Sequence, residues 1–345
     1  MSNKYIIKIL IIFQLIILVI IIILYENHIY NNYKEYFENV IKKYKHINID
    51  NLSHEEKLKN YQSKQFVILR RLECPDCGFF SFFIVHLGCI NKYLLEGYIP
   101  IIDLQSFQNV YNKGNISIKN PWELFFYQPY NYTLEEVKQY GQNLKYIKCN
   151  SGNYRPDEIN IYYINKSINF WHTFANKYMP IRNEIIQEAN IIKSNLFNNS
   201  NNILGVKIRG TDYLSVKPKK HSVQPKVEQV ITDVKIMDKH YNYDYIFFAT
   251  EDEKIKQKFI PEFGYKLKLL NPNVVVHYSY YNKYKINSNI NINGNLDYIK
   301  NYLLNIIILS KCLDIITSRC SGAAGIFILS KGFRHAKIYN LGIYK

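Results

Sequence analysis

The feature that most constrains the fold is a strand that runs straight into a charged loop. Ile203–Ile208 is apolar apart from Lys207, and Arg209-Gly210-Thr211-Asp212-Tyr213 follows at once. A short apolar run closed in this way predicts a buried strand and the turn that ends it. In open α/β sheets ligands bind just beyond the carboxyl ends of the strands. An arginine placed there presents a planar fork matched to phosphate oxygens.

The same alternation recurs along the chain. Residues 65–69 predict a first strand, 70–78 a loop, 79–95 a helix that is apolar nearly all round, and 98–103 a second strand ending on Asp103. This β-loop-α-β order implies a parallel α/β unit, with Gly78 where a helix N-terminus would open toward a ligand. Asn120-Pro121-Trp122-Glu123 begins an aromatic cluster suited to packing, and Thr133 with Glu136 has capping-box spacing. Residues 167–193 have helical periodicity and link the two halves. After the opening strand, Val227, Val230, Ile231, Val234 and Met237 recur at helical spacing. Strands are expected at 245–250, 266–270, 274–278, 313–317 and 336–340, and helices up to 260 and over 296–311 and 321–330. The fold class is α/β, with two Rossmann-like layers.

Residues 9–25 are apolar except for Gln14. About 20 residues cross a hydrocarbon core, and no small-residue cleavage site follows, so this stretch predicts an uncleaved signal anchor rather than a signal peptide. Lys4 and Lys8 precede it and Glu26 follows, which places residues 1–8 in the cytoplasm and the bulk of the chain across the membrane. That is a single-pass type II arrangement, with the secretory pathway, the Golgi in particular, as its setting in a eukaryote or a virus of one. Residues 26–64, polar and tyrosine-rich, predict a stem.

With 345 residues, 48% of them hydrophobic, the chain can bury a sizeable core. Its formal charge of +16 is spread as scattered lysines. That favours anionic ligands, but no helix-turn-helix, zinc-finger or stacked-aromatic signature argues for nucleic acid. Cys74-Pro-Asp-Cys77 has metal-knuckle spacing without a second pair to complete four ligands. The six cysteines permit disulfides in an oxidising compartment, with pairing left open.

Three strand ends of the second half converge by topology: Arg209-Gly210-Thr211-Asp212, Thr250-Glu251-Asp252, and Thr317-Ser318-Arg319-Cys320-Ser321-Gly322. The last opens a helix whose small residues and free N–H groups suit a pyrophosphate. Arg209 and Arg319 would supply countercharge, and Glu251 or Asp252 would accept hydrogen bonds from a ribose or base. The plainer alternative is that Arg209 pairs with Asp212 and the acids cap a helix. A metal-dependent site built on Glu251-Asp252-Glu253 is a further alternative, as is a catalytically silent nucleotide- or sugar-binding membrane protein.

Gly205 to Tyr213, with its Lys-Ile-Arg-Gly-Thr-Asp core, resembles the first peptide motif of the fucosyltransferase superfamily that includes α1,2-, α1,6- and protein O-fucosyltransferases. Phe247-Phe248-Ala249-Thr250-Glu251-Asp252 resembles the second motif, and residues 310–321 the third. Cys77-Gly78-Phe79-Phe80-Ser81 and Asn120-Pro121-Trp122-Glu123 look like the N-terminal half of related members. The resemblance spans residues 66–339. It implies a GT-B-like enzyme in which an N-terminal acceptor domain, 65–200, faces a C-terminal nucleotide-sugar domain, 201–345, across a cleft. It further implies transfer of fucose from GDP-fucose to a glycan or protein, with inversion and with neither a metal nor another cofactor. By the same resemblance Arg209 is catalytic and holds the β-phosphate, together with Lys207 and Gly210. Asp212 supports the loop, Glu251 or Asp252 contacts the guanosine, and Ser318, Arg319 and Ser321 hold the pyrophosphate. Inversion needs a base, for which Glu73, Asp76 and Asp103 are candidates. Two positions depart from the pattern: Lys207 stands where most members have histidine, and Asn305 where many have aspartate.

Overall fold

The computed structural model describes residues 54–75, 77–112, 119–156, 158–163, 165–210, 212–215, 217–270 and 296–345, together with Ile17. The expected anchor at 9–25 lies, Ile17 apart, outside the described residues. Among those described, no helix is long and apolar enough to cross a membrane.

The first half contains α1 (His54–Gln62), β1 (Phe66–Arg70), α2 (Phe79–Leu95), β2 (Ile99–Ile102), α3 (Leu134–Tyr140) and β3 (Lys145–Lys148). Its three strands are parallel, in the order β2-β1-β3. Phe66, Val67, Ile68 and Leu69 are fully buried, as a central parallel strand covered on both faces must be. β3 was not foreseen, because Lys-Tyr-Ile-Lys is a mostly exposed edge with no apolar run. The expected cap of α3 is present: Thr133 Oγ1 accepts from the Glu136 N–H at 3.2 Å.

The stem expected over 26–64 must be shortened. Within α1, Tyr61 is fully buried, its ring lies 4.9 Å from Tyr132 and 5.9 Å from Phe66, and its hydroxyl donates to Glu136 at 2.7 Å. α1 therefore belongs to the compact unit Ile49–Lys345.

Next come α4 (Ser151–Tyr154), α5 (Glu158–Tyr163), α6 (Asn165–Tyr178) and α7 (Asn183–Phe197). The helical periodicity of 167–193 belongs to two helices, α6 and α7. Pro180 lies between them, and proline lacks the N–H and disfavours helix in the residue before it.

The second half runs β4 (Ile203–Ile208), α8 (Asp212–Ser215), α9 (Val227–Tyr241), β5 (Tyr245–Thr250), α10 (Glu253–Phe263), β6 (Leu267–Lys268), α11 (Leu296–Leu309), β7 (Asp314–Ser318), α12 (Ser321–Leu329) and β8 (Ala336–Tyr339). The five strands are parallel in the order β6-β5-β4-β7-β8. The strand expected at 274–278 lies outside the described residues. Leu204, Val206 and Ile208 share a core with Val230, Ile231 and Val234 of α9. Two parallel sheets in an α/β chain are what the alternation of elements implied.

α12 brings the two halves together by packing against α2 and α6. A Cβ on Gly325 would lie 2.1 Å from the Phe80 ring, so only glycine lets α12 approach α2 this closely. The pairing left open by the sequence is resolved as Cys74–Cys77 and Cys89–Cys149, with Cys312 and Cys320 free and buried.

Candidate active site

A cavity of about 550 Å³ opens where the strand ends of both halves meet. From the first half it takes Arg71 and Glu73 after β1, Gly78 and Ser81 at the start of α2, and Ser151 and Arg155 around α4. From the second half it takes Arg209 after β4, Tyr302 on α11, and Arg319, Ser321 and Gly322 at the start of α12. Among the described residues four arginines and Lys220 line it against one glutamate, which makes it strongly basic.

Each arginine is held by a local cause. Arg71 is nearly buried; its guanidinium donates to Ser81 Oγ at 2.8 Å, Ser151 Oγ at 2.9 Å and, more weakly, Glu73 Oε1 at 3.4 Å. Arg155 donates to Ser321 Oγ at 3.0 Å, tying the first half to the start of α12. Burial lowers the pKa of both groups, although a guanidinium remains charged. Arg319 donates to Asn340 at 2.9 Å, while its Nε is buried with no partner among the described residues. Arg209 lies over the Tyr213 ring at 4.8 Å and 3.6 Å from Glu251.

The start of α12 is fixed from outside. The Tyr162 hydroxyl donates to the Cys320 carbonyl at 2.9 Å and accepts from its N–H at 3.3 Å. Gly322 is required by packing, because a Cβ there would lie 2.2 Å from Tyr302 Oη. The first N–H groups of α12 have no carbonyl within the helix to bond, so this end favours an anion.

Of the expected site residues, Glu73, Arg209, Arg319 and Ser321 line the cavity. Asp76 lies outside the described residues. Asp212 opens α8, and its side chain is likewise outside the description. The others do not line the cavity, and their expected roles are corrected as follows.

Lys207 is buried on β4 and donates to Glu251 Oε1 at 3.0 Å, so it is an interior ion pair and not a phosphate ligand. Glu251 is itself buried between Lys207 and Arg209, out of reach of a guanosine. Burial raises its pKa, but the two cations outweigh that effect and hold the carboxyl below its ordinary range. Asp252 caps α10, accepting from the Lys254 N–H at 2.9 Å and the Ile255 N–H at 3.3 Å. Gly210 makes room for that cap, since a Cβ would lie 2.4 Å from Asp252 Cβ. The Ser318 hydroxyl is buried and bonds to Gln224. Asp103 is fully buried, bonded to Arg70 at 2.7 Å and to the N–H groups of Gln105 and Ser106, so it cannot serve as a base in the cavity. Asn305 donates to its own helix at Asn301 O. Glu253 pairs with Lys256 at 2.9 Å, so the three acids after β5 are engaged separately and share no open cation position.

Sequence reasoning missed Arg71, Arg155, Tyr302, Lys220 and His221, all of which line the cavity. Residues 220–223 pair with the C-terminal segment through Lys220 N–H to Tyr344 O, Tyr344 N–H to His221 O and Val223 N–H to Gly342 O. Arg71 carried a readable signal, an arginine just past a buried strand. Arg155 carried none.

No protein-family model and no curated protein sequence matches the chain. Solved structures with a similar fold include NodZ alpha-1,6-fucosyltransferase soaked with GDP-fucose, at 13% identity over 78% of this chain and 93% of that one, with a TM-score of 0.43. Fucosyltransferase NodZ from Bradyrhizobium aligns at 13% identity over 78% of this chain and 94% of that one, TM-score 0.45. POFUT1 in complex with GDP aligns at 10% identity over 80% and 98%, TM-score 0.43. The likeness is one of fold and is partial.

Proposed function

We propose that the chain is a glycosyltransferase that takes a nucleoside-diphosphate sugar in the basic cavity. The observation that carries this reading is the set of arginines lining one cavity with the start of α12: Arg71 and Arg155 from one half, Arg209 and Arg319 from the other. The three motifs that resemble the fucosyltransferase superfamily indicate the donor class, GDP-fucose. The acceptor is a glycan or protein hydroxyl, and residues 9–25 anchor the enzyme with its catalytic part in the lumen of the secretory pathway.

In an inverting step the acceptor oxygen bonds to the sugar's anomeric carbon as the bond to the β-phosphate oxygen breaks. Negative charge then grows on the departing diphosphate. Arg209 and Arg319 oppose that charge in a sheltered site, as do the N–H groups that open α12. These groups can do what a divalent ion does elsewhere, so the step proceeds without one. The acceptor's proton goes to Glu73. Its Oε1 takes the bonds from Ser151 N–H at 2.7 Å, Ser151 Oγ at 3.0 Å and Arg71, and Oε2 takes none of them.

The test is a thermal-shift screen of the full chain in detergent against GDP, UDP, ADP and GDP-fucose, followed by a transfer assay with and without EDTA. Selective stabilisation by GDP and GDP-fucose, with transfer unaffected by EDTA, is expected. No response to any nucleotide would overturn the reading, and EDTA-sensitive transfer restored by manganese would overturn its metal-free step.

A further inference from the structure

The two disulfides occupy different environments. Cys89–Cys149 spans 60 residues between α2 and the segment after β3, and both cysteines are buried to within 1%. Cys74–Cys77 spans three residues, and both of its cysteines line the basic cavity. A bridge over three residues removes little freedom from the unfolded chain compared with one over sixty, so stability does not account for it. Local hydrogen bonds already hold its segment: Cys77 N–H to Cys74 O at 3.2 Å, Val110 N–H to Pro75 O at 3.2 Å, and Tyr111 hydroxyl to Cys77 O at 2.5 Å. The two sulfurs are also unequal. Arg71 Nη2 lies 3.5 Å from Cys77 Sγ, and Cys77 stands just before Gly78, the N-cap of the 17-residue α2. A nearby guanidinium and a helix start both favour a thiolate.

We propose that Cys74–Cys77 is a site of reversible exchange with low-molecular-weight thiols that enter the cavity, and that its reduction weakens binding of anionic ligands there. The first thiolate attacks Cys74 Sγ and forms a mixed disulfide. The Cys74–Cys77 bond breaks, and its electron pair leaves on Cys77 Sγ as a thiolate beside Arg71. A second thiolate attacks the outer sulfur of the mixed disulfide, releases Cys74 as a thiolate that takes a proton from water, and departs as the oxidised small-molecule disulfide. Two thiols are oxidised for each protein disulfide reduced. The Cys77 thiolate adds a negative charge to the cavity and occupies Arg71, which now serves Glu73, Ser81 and Ser151. A diphosphate then meets a less positive site.

Ligand weakening rests on the nucleotide reading above; exchange itself does not. The full chain is titrated with reduced glutathione, quenched with iodoacetamide and mapped by mass spectrometry, and GDP affinity is measured on the oxidised and reduced forms. Cys77 and Cys74 should be alkylated at thiol concentrations that leave Cys89–Cys149 intact, and GDP binding should weaken about three- to tenfold. The variant C74S, with Cys77 permanently a thiol, should bind GDP as weakly as the reduced wild type. Reduction of both disulfides together, only on unfolding, would overturn the exchange. Equal GDP affinity in both redox forms would overturn its effect on the cavity. A failure of the oxidised protein to bind GDP at all would count against the nucleotide reading and leave the exchange to be judged by alkylation.

Discussion

Replacing Glu251 by glutamine should destabilise the protein by about 3–5 kcal/mol, the range for removing one partner of a buried ion pair. Lys207 and Glu251 are 2% and 6% exposed at their side chains, so water does not screen them and the figure needs no discount for solvent. The substitution leaves the Lys207 ammonium in the interior facing a neutral amide, and Arg209, 3.6 Å away, loses its countercharge too. For a folded unit of this size roughly 1.5 °C of Tm follows each kcal/mol, so thermal unfolding followed by circular dichroism should shift down by roughly 4–8 °C. The double variant Lys207→Met with Glu251→Gln removes both charges and should regain most of the loss, because a buried pair is about as stable as an apolar replacement. The sign with pH follows from the carboxyl. Burial raises its pKa, yet Lys207 and Arg209 hold the folded value below the ordinary 4.5. The stabilisation is complete above that ordinary value and disappears as pH falls through the lower folded one, so wild type and E251Q should converge in strong acid. A single variant within 1 °C of wild type at neutral pH, or a double variant no better than the single, would refute the interior-pair reading of Lys207.

Arg209→Ala should weaken GDP binding by about 1.5–3 kcal/mol, or roughly 10- to 150-fold by calorimetry, through loss of a charge-assisted phosphate contact. Gly322→Ala drives a Cβ to 2.2 Å from Tyr302 Oη; a loss of roughly 1–3 kcal/mol is expected in denaturant titration, partly relieved by Tyr302→Phe. Tyr61→Ala should cost roughly 3–5 kcal/mol, as for other large buried aromatics, whereas a residue of a detached stem would leave the unfolding midpoint unchanged. Asp314→Asn should lower the midpoint by roughly 1–3 kcal/mol, because that buried carboxylate takes bonds from Arg334 at 2.6 Å and from the His335 N–H at 2.8 Å.

The sheets were legible because their central strands are apolar runs, Phe66–Leu69 and, Lys207 apart, Ile203–Ile208, each followed by an arginine. The β3 edge was not, since an exposed parallel edge carries no such run. At the site, position along a strand decided what could be foreseen. Arg209 and Arg319, just past strand ends, line the cavity. Lys207 is two residues earlier, level with Ala249 and Thr317 of its neighbours, and is therefore inside the sheet. Two residues in a strand return to the same face but move about 7 Å back from its end. Glu251 and Asp252 show the converse. Acids after a strand look like ligand contacts in a sequence, but one serves a buried lysine and the other a helix cap. Those demands come from partners 44 residues away or from the next turn of chain, and local pattern does not separate them from binding.

The same demand bears on Lys207 itself. A histidine there could be buried neutral, whereas a buried lysine needs a carboxylate, and Glu251 at 3.0 Å supplies it. Among the described residues, Arg71, Arg155, Arg209 and Arg319 line the cavity with Glu73 as its one acid. Burial lowers the pKa of both Arg71 and Arg155, because desolvation disfavours their charge. A diphosphate beside them would offset that cost and the mutual repulsion of the guanidiniums, as a neutral sugar would not. The buried pair and the basic cavity are thus linked through one carboxylate: Glu251 neutralises Lys207 inside the fold and also lies 3.6 Å from Arg209, which lines the cavity.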